Sequence, residues 1–135
     1  MRQIHQLARA LERVIAVVVG LKRPHQTQDV IQTTNQSLVE YLDIDIYSLI
    51  QMDQDKMIQK LEENPGMNHQ NLEKVADLFL EMGLYFIEEE TSEIEPHILF
   101  GRALCIFEYI ESEGSIYSID RNQKIRDISD LLSLY

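Results

Sequence analysis

At 135 residues the chain is long enough for one domain with a core of its own, so neither a disulfide nor a metal is required to hold it. Its net charge of −11 is concentrated in residues 71–113, where Lys74 and Arg102 stand among eleven acidic residues; that face repels phosphate, and no nucleic-acid partner is expected. A single cysteine, Cys105, excludes an intramolecular disulfide and fits a reducing, cytoplasmic location.

The first predicted helix runs from about Arg2 to Lys22. Ile4, Leu7, Leu11, Val14, Val18 and Leu21 form one stripe, with Ala8, Ile15 and Val19 on a neighbouring one. Val14 to Leu21 carries no polar side chain, and a helix that is apolar nearly all round must be covered on several sides. Arg2, Arg9 and Arg13 precede this run as they would in a secretion signal. The run is short, Glu12 interrupts the basic region and no A-x-A-like site follows, so a retained helix is expected rather than a leader or a membrane span. Lys22 and Arg23 fall at the helix's C-terminal end, where cations favour the dipole, and the basic cluster around this helix reads as a capped helix rather than an anion site.

After Pro24, Thr27 is a plausible N-cap for a second helix that carries Val30, Ile31, Thr34, Leu38, Tyr41 and Leu42 on one face to about Asp43. The connection is short, so residues 1–43 should form an antiparallel hairpin. Residues 44–66 read as short irregular helices: Ile46, Leu49 and Ile50 in one, and Met57, Ile58 and Leu61 in another that Asp53 would cap, before the turn Asn64-Pro65-Gly66.

A second hairpin is predicted over 68–113. Asn68 caps a long helix to about Glu90, with Leu72, Val75, Ala76, Phe79, Met82, Gly83 and Phe86 on one face and Leu80, Leu84 and Ile87 beside it. Pro96 opens the next helix, which buries Leu99, Ala103, Ile106, Phe107 and Ile110 and ends at Gly114. Residues 120–135 form a C-terminal capping helix, started by an Asp120–Gln123 capping box and presenting Ile125, Ile128, Leu132 and Tyr135 to the preceding hairpin. The whole is a single all-α domain, 1–135, of antiparallel helical hairpins with about six to seven helices.

An internal repeat links the two hairpins at an offset of 66 residues. It sets Leu38-Val39-Glu40-Tyr41 against Leu104-Cys105-Ile106-Phe107 and aligns Ala10 with Ala76, Val14 with Leu80, Val18 with Leu84 and Leu21 with Ile87. Leu7 against Glu73 and Leu11 against Asp77 are mismatches. Phe79-Leu80-Glu81-Met82-Gly83-Leu84-Tyr85-Phe86 followed by Phe100-Gly101-Arg102-Ala103-Leu104 resembles a tetratricopeptide-type hairpin, over Leu72 to Glu111. The loop is about one residue longer than in that repeat, and Pro96 stands where it carries a small residue. More loosely, Gly20-Leu21-Lys22, Leu38 to Leu42 and the Ala103-Leu104 pair make the whole chain similar to a family of small bacterial tetratricopeptide-like proteins with no assigned activity. That resemblance implies a short tetratricopeptide-like array and no particular chemistry.

Catalytic and metal patterns find no match: H-E-x-x-H, the Walker loop, G-x-S-x-G and G-x-G-x-x-G do not occur. Glu93 and His97 are four apart rather than Glu-x-x-His, and Asp43, Asp45, Asp53 and Asp55 lack the glycine and closing glutamate of a calcium loop. His5, His25, His69 and His97 are scattered over helix ends and loops. Cys105, between Leu104 and Ile106, reads as a buried structural thiol, and Glu88-Glu89-Glu90 as a solvated helix end or a partner-facing loop.

No catalytic, cofactor or metal residue is therefore assigned. The expected function is a non-catalytic helical module or scaffold that binds a protein or peptide, with no membrane partner. The alternative is a small enzyme or ligand-binding protein whose site is not legible in sequence. Homodimerisation is one way to cap the apolar ends of so short an array, with Ile15 and Val19 as the contact if they are exposed.

Overall fold

A computed structural model describes residues 2–20, 27–43, 45–87, 94–114 and 116–134, without the side chains of 27–31, 33 and 37. These residues form seven α-helices and no strand: α1 (Arg2–Gly20), α2 (Thr27–Leu42), α3 (Ile46–Gln51), α4 (Gln54–Glu62), α5 (His69–Ile87), α6 (Pro96–Ser112) and α7 (Ile119–Leu132). The all-α reading holds. The Leu21-Lys22-Arg23 end of the first helix, the Thr27 side chain, the faces of Val30 and Ile31, His25, Glu88 to Glu90, Glu93 and Tyr135 lie outside what is described.

α1 buries Leu7, Ala10, Leu11, Val14 and Val18 between α2 and α5. The buried positions recur at three and four residues and leave the opposite side open, so the apolar run is covered on one side only. Val17 and Val19 are each 42% exposed and Ala16 is exposed, while Ile15 is half-buried against the core. α2 pairs with α1 antiparallel, because Tyr41 near its C-terminus lies beside Gln6 near the start of α1. Asp43 ends α2 in the left-handed region at φ 56°, a conformation that Asp tolerates better than most residues.

α5 and α6 form the second hairpin. His69 at the start of α5 meets Tyr109 near the end of α6 edge-on, with ring centres 6.3 Å apart, so these helices are also antiparallel. The expected face of α5 from Leu72 to Phe86 is buried throughout; Leu78, Tyr85 and Asn71 join it, whereas Ile87 is exposed. Gly83 of α5 packs directly against Phe100 of α6. A Cβ there would sit 2.6 Å from the Phe100 ring, which is itself fully buried. Only a residue without a side chain fits that contact.

Local chemistry sets the helix ends. Asn68 accepts from the Asn71 amide at 2.8 Å to start α5, Pro96 opens α6, and Gly114 follows α6 at φ 73°, which its missing Cβ permits without strain. Asp53 stands at the start of α4 but makes no capping hydrogen bond, contrary to expectation; Asp45 does cap α3, accepting from the Ser48 amide. The Asp120–Gln123 capping box is also corrected. Ser118, two residues earlier, accepts from the Arg121 amide at 3.1 Å, and Gln123 turns to Asp127. Serine and aspartate are comparable N-caps, so the choice fell to the path of the preceding loop rather than to propensity.

α1, α5 and α7 run in the same direction. The carbonyl of Ile4 accepts from the Asn71 side chain at 3.0 Å, and Glu12 meets Lys74 at 3.7 Å, which aligns α1 with α5. Glu73 pairs with Arg121 and Asp77 with Lys124, which aligns α5 with α7. α7 packs mainly against α6, and its Ile128 is fully buried.

Candidate partner-binding surface

The mismatches in the repeat mark where the two hairpins meet different neighbours. Leu7 and Leu11 of α1 are buried, whereas the residues 66 positions later, Glu73 and Asp77, face α7. Arg121 is almost wholly buried there; it donates to Glu73, to Glu111 and, at 2.7 Å, to the carbonyl of Ile116. Burial pulls this guanidinium down, but the two carboxylates more than offset it and hold it above its ordinary value.

The neighbouring pair behaves differently. Burial pushes the Asp77 carboxyl up against the pull of Lys124, its partner at 2.8 Å; for Lys124, burial lowers the ammonium but Asp77 and Asp120 raise it further. Desolvation of the acid offsets much of what the bridge gains, so the pair positions α7 more than it stabilises the fold. These charges are spent inside the molecule.

The Tyr109 hydroxyl is likewise committed. It stands within 2.9 Å of both Glu62 and Glu113 and has one proton to donate, so burial and the two carboxylates together raise it well above its ordinary value. The contact ties α4 to α6. A groove of about 450 Å³ beside Arg121 is lined by His69, Glu73, Ile110 and Tyr117.

The open face of α1 differs in kind. With Leu7, Leu11, Val14 and Val18 turned inward, Gln6, Arg9, Arg13 and Ala16 fall on the outer side and, with Tyr41 of α2, line a trough of about 730 Å³. A smaller recess of about 220 Å³ shares Gln6 and Tyr41 and continues it to Gln3, Asn64 and Pro65. Neither Arg9 nor Arg13 has a hydrogen bond or ion pair among the described residues, and both are exposed. Glu12, which also borders the trough, is engaged by Lys74 of α5. Arg9 and Arg13 thus stand mid-helix and without a partner among the described residues; Lys22 and Arg23, expected at the helix's C-terminal end, lie outside those residues.

The remaining candidates are structural or peripheral. Asp43, Asp45 and Asp53 lie at helix ends and Asp55 in the first turn of α4; no group of three or more His, Cys, Asp or Glu residues suited to a metal occurs among the described residues. His5 is exposed, His69 is half-buried on Tyr109, and His97 lies 3.8 Å from Glu95 at the start of α6. Cys105 is half-buried rather than buried, and burial pushes its thiol up from 9.0, with Arg102 pulling the other way. No described helix is long and apolar enough to cross a membrane. Comparison of the chain with protein-family models, with curated proteins and with solved structures finds no match.

The trough was only half legible in the sequence. Arg9 and Arg13 at i and i+4 on the polar side of an amphipathic helix were visible, but Tyr41 reaches them through tertiary packing. The burial of Arg121 had one signal, the two acids at mismatched repeat positions.

Proposed function

We propose that the protein is a short tetratricopeptide-like interaction module of the bacterial cytoplasm, with the open trough along α1 as its binding surface. The observation that carries this reading is a groove lined by two exposed guanidiniums that have no partner among the described residues, whereas the cations turned toward the interior, Lys74, Arg102, Arg121 and Lys124, are each ion-paired or hydrogen-bonded. Support for the array comes from two antiparallel hairpins related by the 66-residue offset: moving α1 by that offset gives residues 68–86, against 69–87 observed for α5. In a repeat array each hairpin leaves a face for its neighbour, and α7 supplies that neighbour to α5 through Arg121 and Lys124. The single cysteine supports a reducing compartment.

A photo-crosslinking residue in place of Ala16, compared with one in place of the exposed Gln123 on α7, tests the reading. Adducts with a protein partner are expected at position 16 and not at 123; no adduct at 16 in extract of the source cell refutes it. Self-association is the second reading, favoured by exposed Val17 and Val19, although Ile15 is packed on the core and does not join them. Sedimentation as a monomer at micromolar concentration would remove it.

A further inference from the structure

We infer that the trough along α1 takes an extended peptide segment of the pattern acidic-x-acidic-x-apolar from a partner protein; this rests on the interaction reading above. Residues 2–20 contain Arg2, Arg9 and Arg13 against Glu12 alone, whereas the sum over the whole chain is −11. An anionic segment is therefore repelled by most of the surface and attracted at α1, which selects the site as well as the ligand. Arg9 and Arg13 lie on successive turns of one helix, about 6 Å apart along its axis at 1.5 Å per residue. In an extended chain, side chains on the same side recur every second residue, about 6.6 Å apart, so acidic residues at i and i+2 match the two guanidiniums in turn. Each can accept a forked pair of N–H donors.

The next same-side position, i+4, falls about another 6.6 Å along; Ala16, which lines the trough, and exposed Val17 lie about 4.5 and 6 Å beyond Arg13 along the α1 axis. An apolar side chain there covers surface that α1 otherwise leaves to water. At the other end, Gln6 and Tyr41 offer amide and hydroxyl groups for the peptide backbone. The groove beside Arg121 does not compete for such a ligand, because Arg121 and Glu73 already satisfy each other.

The test uses the full chain with a displayed library of random dodecamer peptides, followed by anisotropy on a synthetic peptide carrying Glu-Ser-Glu-Ser-Leu. Enriched sequences with two acids at i and i+2 beside a Leu, Ile or Phe are expected. Binding should weaken roughly tenfold in the Arg9→Glu/Arg13→Glu double variant, from the loss of two exposed charge pairs. Circular dichroism confirms that these surface variants fold. Enrichment without acids, abolished by Ala16→Lys, overturns this inference and leaves the interaction reading standing. Binding unaffected by both variants, or no enriched peptide, overturns it outright. Tighter binding of the same peptide with phosphoserine in place of both glutamates reassigns the trough to phosphate. A concentration-dependent dimer dissolved by the double reversal reassigns it to a second copy of the chain; either result overturns the proposal.

Discussion

Replacing Gly83 by alanine tests the close contact on which the second hairpin is built. The added Cβ would meet Phe100 Cε1 at 2.6 Å, Cδ1 at 3.0 Å and Cζ at 3.1 Å. An aromatic ring with no solvent-accessible surface cannot swing aside as a flexible side chain would, so either the ring leaves its rotamer or α5 and α6 separate. Overpacking of this kind costs about 1–3 kcal/mol, and alanine's better helix propensity returns up to about 1 kcal/mol. A net loss of about 1–2 kcal/mol is expected, or a fall in Tm of about 4–8 °C for a domain of this size. Gly101, one residue beyond Phe100 on α6, is the internal control. Nothing lies within 4 Å of a Cβ built there, so Gly101→Ala should gain about 0.5–1 kcal/mol. Urea titrations of the two variants measure both quantities. If Gly83→Ala matches or exceeds the parent in stability, the helices do not approach as described, and the tetratricopeptide-like reading loses its main packing argument.

Arg121→Ala should cost about 2–3 kcal/mol by urea titration, below the 3–5 kcal/mol of a fully buried pair because Glu73 and Glu111 keep some access to water; Arg126→Ala, on the exposed side of α7, should cost under about 0.5 kcal/mol. Asn71→Ala removes the donor that joins the carbonyls of Ile4 and Gly66, at 3.0 and 2.8 Å, and should lose about 2 kcal/mol, with faster hydrogen exchange in the first turn of α1. The Ser48 amide and hydroxyl hold the Asp45 carboxyl below its ordinary 3.8. A depressed folded-state pKa contributes stability that is present above 3.8 and lost as pH falls through the lower value. The stability gap between parent and Asp45→Asn should therefore close on acidification across that range; a gap that widens there would contradict the cap. Cys105, with its thiol raised by burial, should react with a disulfide reagent at pH 8 more slowly than a free thiol, and an equal rate would contradict its half-buried setting.

By itself the sequence determined the helices and most of their inward faces. Apolar residues at three- and four-residue spacing placed α1, α5 and α6 because burial of such a stripe is the dominant local constraint, and Asn68, Pro96 and Gly114 set ends through their own backbone chemistry. It failed where two residues offered equivalent local solutions. Ser118 rather than Asp120 caps α7, and Asp53 sits at a helix start without bonding to it, because the loop path decides which side chain reaches the free amides. Tertiary structure alone decided the fate of the charges. Arg121 and Arg9 are the same residue type on polar helix faces, yet one is enclosed by Glu73, Glu111 and a carbonyl while the other opens into a trough beside Tyr41. Periodicity records which side of a helix is polar, but whether that side meets water, a carboxylate or a groove depends on the neighbour packed against it, and that neighbour can be far off in the chain, 48 residues in the case of Glu73 and Arg121.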